Sequence, residues 1–185
     1  YEARLEEVRT GALPALRRLK EEGVIRAFGA GVNQAEACER LMDIGRFDCF
    51  LLAGRYTLLE QGGLDRFLPR CAAEQVSIIL GAPFNSGILA TGATEDARYN
   101  YLPAPPEVKR RVAAIEEVCR RHGVSLPAAA LQFPLFHPAV TTVIPGSKSR
   151  AEAERNVALM TEAIPPEFWR ELSTSDLIRS DAPIP

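Results

Sequence analysis

The run VIPGSKSRAEAERNVAL, residues 143–159, holds the densest set of groups able to do chemistry. It reads as an apolar strand, a short loop around Gly146, and a helix. A helix start leaves backbone N–H groups without partners and carries partial positive charge. Gly146 lets the backbone approach a ligand closely, while Ser147, Lys148, Ser149 and Arg150 add side-chain donors. The chemistry of such a set is anion binding, with phosphate as the expected guest. On spacing alone the same residues also make an ordinary βα loop with a serine cap and solvated basic side chains, so both readings stand at this point.

The elements around this run decide what could share the site. Helical periodicity predicts helices over 12–22, 34–44, 64–75, 107–122, 127–136, 150–161 and from Pro166 to Leu172. Between them, the apolar runs 24–30, 47–53, 76–80 and 140–144 predict strands. Strands apolar along their whole length, alternating with helices, imply α/β architecture with a parallel sheet covered by helices. An open doubly wound sheet and a (β/α)8 barrel both fit, although a whole barrel needs roughly 250 residues and only four βα units are present. Glycine- and proline-rich segments fall only between elements, so residues 1–185 are expected to be a single domain.

Composition narrows the function classes. A net charge of −2 with interspersed signs gives no footprint for nucleic acid or an acidic membrane surface. No apolar run of about 18 residues is present, and the opening Tyr1-Glu2-Ala3-Arg4 is unlike a signal peptide. Cys38, Cys49, Cys71 and Cys119 form no C-x-x-C pair and read as buried free thiols. A cytoplasmic protein without nucleic-acid or membrane partners is expected.

In parallel α/β folds the site lies at the carboxyl ends of the strands, which points to the loops starting at Gly29, Ala53, Gly81 and Pro145. Asn33 offers an amide in GAGVNQ, either for a ligand or as a helix cap. The long loop GAPFNSGILATG presents Asn85 and Ser86 among Gly81, Gly87 and Gly92, as a cofactor clasp or as turn chemistry. No catalytic set accompanies them. His122 ends a helix, His137 enters a strand from the opposite end, and Tyr56 reads as packing. No nucleophile elbow, metal-spaced cluster or carboxylate pair stands at a strand end. The catalytic set is expected to be empty, and no metal site is expected.

These segments resemble the C-terminal half of an aldo-keto reductase. The resemblance rests on GVIRAFGAGVN for the family's fifth strand, APFNSGILATG after its seventh, and VIPGSKSRAEAERNV for its eighth strand and phosphate loop. It covers nearly the whole chain, in order. AGRYTLLEQGG and PFNSGILATG look most like the branch containing D-threo-aldose (L-fucose) 1-dehydrogenases and pyridoxal 4-dehydrogenases.

The resemblance implies strands five to eight of a (β/α)8 barrel that binds NAD or NADP and moves a hydride between it and a sugar or aldehyde carbon. The expected activity is oxidation of an aldose at C1 to its lactone. The family's catalytic Tyr, Lys, Asp and His come from its first four strands, so this fragment alone is expected to be inactive. Carried over residue by residue, Asn33 falls on the carboxamide contact, while Ala82, Phe84 and Ser86 fall on the pyrophosphate clasp, with Asn85 and Gly87 in the same loop. Gly146, Ser147, Lys148, Arg150, Arg155 and Asn156 fall at or beside the adenosine end.

Three departures accompany the match. Gly31-Val32 stand before Asn33 where a serine is common, and Ala53 stands where the next strand's glutamine is expected. Gly81 replaces a stacking tyrosine, leaving Phe84 or a residue outside this chain to cover the nicotinamide. Glu152 replaces an arginine that grips the 2′-phosphate of NADP, which favours NAD. A nucleotide-binding module or channel-subunit-like sensor on the same fold is the alternative. An isomerase or aldolase is disfavoured because no strand here ends in a lysine. Half a barrel also leaves two strand edges and an apolar core open, so self-association through those edges is expected.

Overall fold

The computed structural model describes residues 2–185, with side chains from Arg4 onward, so Tyr1 at the head of the expected domain lies outside the described residues. The chain opens with α1 (Glu2–Glu7), a wider turn of π type over Val8–Ala12, and α2 (Leu13–Glu21). Helix starts earlier than the sequence reading placed it, because Thr10, Gly11 and Pro14 look like breakers. The wide turn resolves the conflict: Leu13 N–H donates to Val8 O, five residues back, directly ahead of the proline that lacks an N–H. Next come β1 (Gly29–Val32), α3 (Ala35–Ile44), β2 (Cys49–Ala53), α4 (Phe67–Glu74) and β3 (Ser77–Gly81). A long excursion follows, with α5 (Ile88–Thr91), the small hairpin β4 (Arg98–Tyr99) and β5 (Leu102–Pro103), α6 (Pro106–His122) and α7 (Leu126–Gln132). The chain returns as β6 (Val140–Ile144), α8 (Arg150–Met160) and α9 (Pro166–Thr174).

The main sheet has the order β1-β2-β3-β6, with every neighbour parallel. The parallel α/β class and the neighbour order therefore agree with the sequence reading. The first strand does not start where expected. Gly23, at φ 73°, closes α2, with Val24 N–H bonded to Leu19 O, and the apolar residues 24–28 are drawn into that cap and its exit. The strand begins at Gly29, where a Cβ would collide with the carbonyl oxygen of Cys49.

A second correction concerns cover. Phe50, Leu52, Ile78 and Leu80 are fully buried on one face of the sheet. On the other face Gly29, Gly31, Leu51, Thr142 and Ile144 are exposed, and Cys49 is half-buried rather than buried as expected. The helices thus cover only one face. Two aromatic chains fill the covered layer, Phe28–Phe47–Phe50–Phe67 and Tyr56–Phe133–Trp169–Phe168, with ring centroids 4.9–6.3 Å apart. Burying each such side chain stabilises the fold by about 1.5–3 kcal/mol. Among the described residues, no helix is long and apolar enough to cross a membrane.

The two faces predict opposite responses from adjacent residues. Phe50→Ala should cost about 3–5 kcal/mol through the cavity it leaves, whereas Leu51→Ala should cost less than about 1 kcal/mol. Urea unfolding of both variants checks this. Equal costs would mean that the open face is covered in solution.

Candidate functional site

The carboxyl ends of β1, β2, β3 and β6 open into one cleft of about 970 Å³. It is lined by Asn33, Ala53, Arg55, the loop from Ala82 to Gly87, Asn100, Tyr101, Gly146, Ser147, Lys148, Glu152, Arg155 and Asn156, among others. The structure therefore brings together every site residue expected from the sequence except Arg150. Helical geometry gives the reason. Glu152, Arg155, Asn156 and Leu159 lie on one stripe of α8, and Arg150, set off from it, points to solvent and pairs with Glu154 at 2.7 Å.

The start of α8 is held by its own sequence. Ser149 is the N-cap, its Oγ accepting from Glu152 N–H at 3.2 Å, and the Glu152 carboxylate accepts from Lys148 N–H at 2.6 Å. This is the S-x-x-E capping pattern, present in the sequence as Ser149-Arg150-Ala151-Glu152. Asn156 Nδ2 donates to Ser147 Oγ at 3.0 Å, fixing the loop against the helix. Lys148 and Arg155 line the cleft, and among the described residues neither has an ion-pair partner within 4.0 Å. Two unneutralised cations beside a capped helix start form an anion-attracting corner.

Across the cleft, the loop after β3 is unusual in its backbone. Ala82, Asn85 and Ser86 all take left-handed conformations, at φ 50°, 45° and 62°. Asn85 is buried, with its amide turned into the protein toward Thr57 and Gly54. Ser86 Oγ accepts from Tyr101 N–H at 3.0 Å, which ties this loop to the hairpin tip. Phe84 is half-buried against the cluster of Ala128, Leu131 and Leu159. Asn33 is exposed at the cleft, and Gln34 occupies the N-cap position of α3, so Asn33 is not the helix cap.

Sequence reading missed Arg55. Its guanidinium donates to Asn33 O at 3.0 Å and Asn100 Oδ1 at 3.2 Å, joining the loops after β1 and β2 to the hairpin. Although Arg55 lies in AGRYTLLEQGG, its role has no local signal, because its partners lie 22 and 45 positions away. Ala53 and Gly81 stand opposite each other in the sheet, so the cleft floor between them carries at most a methyl group.

Tyr101, Lys148 and Glu152 line the cleft, while three further groups able to transfer a proton lie away from it. Tyr56 is fully buried, and burial raises its hydroxyl pKa well above the ordinary range; among the described residues that oxygen has no hydrogen-bond partner. His137 is buried, with Nδ1 accepting from Ala139 N–H at 3.2 Å, and burial lowers its pKa. His122 is 2.6 Å from Glu171 at the end of α6. None of the three lines the cleft. Among the described residues, no group of three or more His, Cys, Asp or Glu could hold a metal ion.

Comparison with known proteins places this geometry. The model of the Aldo/keto reductase family matches residues 6–176. The chain is 37% identical to a pyridoxal 4-dehydrogenase of Microbacterium luteolum over 170 residues, covering 92% of this chain and 50% of that protein. It is 39% identical to a D-threo-aldose 1-dehydrogenase of a Pseudomonas species over 168 residues, covering 90% and 51%. Among solved structures, an aldo-keto reductase from Bacillus halodurans in its holo form superposes with a TM-score of 0.71 at 20% identity, over 91% of this chain and 56% of that one. The chain spans about half the length of the curated relatives it matches.

The capping arrangement predicts that Ser149→Ala destabilises the start of α8 by about 1 kcal/mol. Amide exchange should quicken at residues 151–153 and stay unchanged in β3. Ser149→Asp, which keeps the acceptor, should exchange like the parent.

Proposed function

This chain belongs to the aldo/keto reductase family, and on that premise we propose that it is the dinucleotide-binding half of a (β/α)8 reductase barrel, with β1, β2, β3 and β6 as strands five to eight. The observation that carries the reading is the corner where Lys148 and Arg155, both without ion-pair partners among the described residues, flank the capped start of α8 inside a cleft of about 970 Å³. The cleft is of a size to take a dinucleotide. Lys148, Arg155 and Asn156 with Ser147 would hold its adenosine end, the loop from Ala82 to Gly87 its pyrophosphate, and Asn33 its carboxamide. Arg150 is left out of this set. When bound, the nicotinamide ring supplies a hydride acceptor or donor.

The full reaction we infer is oxidation of an aldose at C1 to its lactone, supported by the name of the D-threo-aldose 1-dehydrogenase that is 39% identical to this chain. Proton transfer at the sugar hydroxyl needs a group within hydrogen-bond reach. Of the cleft groups able to move a proton, Lys148 and Glu152 lie at the proposed adenosine end and Tyr101 stands exposed at the hairpin tip. The acid and base are assigned to the other four strands of the barrel, so these residues alone bind cofactor without turning it over. The open sheet face and the unpaired edges of β1 and β6 favour association with another half.

Two measurements test this. Fluorescence titration should give saturable NADH binding by the 185-residue chain, weakened roughly tenfold by Lys148→Ala or Arg155→Ala, as expected for losing one charged contact. Aldose should produce no NADH with this chain. Failure of NADH to bind, or steady turnover, would contradict the assignment. The second concerns cofactor choice. NAD should be favoured over NADP, because Glu152 sets a carboxylate near the place of a 2′-phosphate. Glu152→Gln keeps the capping pattern and removes the charge. It should improve NADP affinity roughly fivefold relative to NAD, the scale of one screened charge contact. A parent that already prefers NADP, with a ratio unmoved by Glu152→Gln, would show that residue 152 does not face the ribose.

A further inference from the structure

Four polar side chains are buried among the described residues: Thr57, Gln61, Asn85 and His137. Three of them form one hydrogen-bonded chain. Arg179 N–H donates to Gln61 Oε1 at 3.1 Å, and Gln61 Nε2 donates to Thr57 O at 2.7 Å. Thr57 Oγ1 donates to Asn85 Oδ1 at 2.6 Å, and Asn85 Nδ2 donates to Gly54 O at 3.2 Å. Thr57 is itself fixed, since its hydroxyl oxygen accepts from Leu59 and Glu60 N–H and its own N–H donates to Glu60 O at 2.7 Å. Arg111 secures the turn at Thr57 and the segment before Arg179 by donating to Leu59 O and Leu177 O.

The chain ends at the loop that needs support. Ala82, Asn85 and Ser86 hold left-handed backbone conformations that cost L-residues roughly 1 kcal/mol or more each, and such conformations persist only where the surroundings over-determine them. The Asn85 amide is the side-chain anchor of this segment to the sheet side. Buried polar chains of this kind are stiff when every member is satisfied, and losing one member exposes the cost of an unpaired neighbour.

We propose that Thr57 and Gln61 are positioning residues. Acting through Asn85, they hold the loop from Ala82 to Gly87 in the form that grips the dinucleotide, and the segment from Leu177 to Arg179 serves as their outer strut. The proposal rests on the cofactor reading above. Neither residue lines the cleft, so neither is a ligand contact.

The test uses Thr57→Val, which keeps shape and removes the hydroxyl, with Thr57→Ser as the conservative rescue. Gln61→Met, one link further out, replaces Thr57→Val if that variant does not fold. The readouts are NADH affinity by fluorescence titration and amide exchange at residues 84–89, referenced to β3. Thr57→Val should weaken NADH roughly tenfold, the scale of one buried hydrogen bond, and quicken exchange in the loop alone, while Thr57→Ser restores both. A folded Thr57→Val variant with parental affinity and loop exchange overturns the proposal. So does exchange that quickens equally in β3, which marks a general loss of stability. If the parent takes up no NADH, the cofactor reading falls, and exchange alone decides the brace: quickening confined to the loop supports it, and any other pattern overturns it.

Discussion

The parallel register of four strands governs everything downstream. Ala53 lies opposite Gly81, and Gly81 opposite Ile144, so β2, β3 and β6 end level with one another, with β1 paired alongside β2. Loops leaving level strand ends must share one rim. Segments separated by more than a hundred residues, such as Asn33 and Arg155, thereby line a single cleft. A one-residue slip in any pair would turn its side chains to the other face and remove its loop from the rim.

The same arrangement divides the burden of stability unevenly. The covered face carries the aromatic chains and fully buried Phe50, Leu52, Ile78 and Leu80. By contrast, α8 buries only Leu159, and Val157 is 70% exposed. A helix with so little apolar contact relies on its ends. The Ser149–Glu152 pattern secures its start, and Gln132 Nε2 donates to Leu159 O and Glu162 O at its finish. Glu162 in turn accepts from Ser125 N–H and Oγ at the start of α7. Helix α8 is therefore positioned chiefly by polar contacts, leaving Lys148 and Arg155 turned to the cleft.

Much of this was legible in the sequence, for identifiable reasons. Strands at 49–53, 77–81 and 140–144 announce themselves as short apolar runs between helices, and the site loops follow from where parallel strands end. Residues 24–28 misled because a run can be apolar and still serve a helix exit, with Val24 67% exposed. Arg150 misled because donor type was read without helix phase. A serine cap at this loop is one of the two readings the sequence allows, and Ser149 fills it, with Glu152 three residues on. Arg55, Thr57 and Gln61 lie in AGRYTLLEQGG, a segment that carries the resemblance, but nothing local shows what each one does. Their partners are distant in the chain, and a polar residue in a turn looks solvated until the tertiary structure buries it.

The central claim is that three separated loops form one dinucleotide site. It is tested most directly by backbone NMR of the chain during titration with NADH. The account predicts saturating shifts that move together, with one affinity, at Asn33, at residues 82–87 and at residues 146–149. Shifts confined to the start of α8, or loops that titrate with different affinities, would show a simple phosphate patch and contradict a shared site.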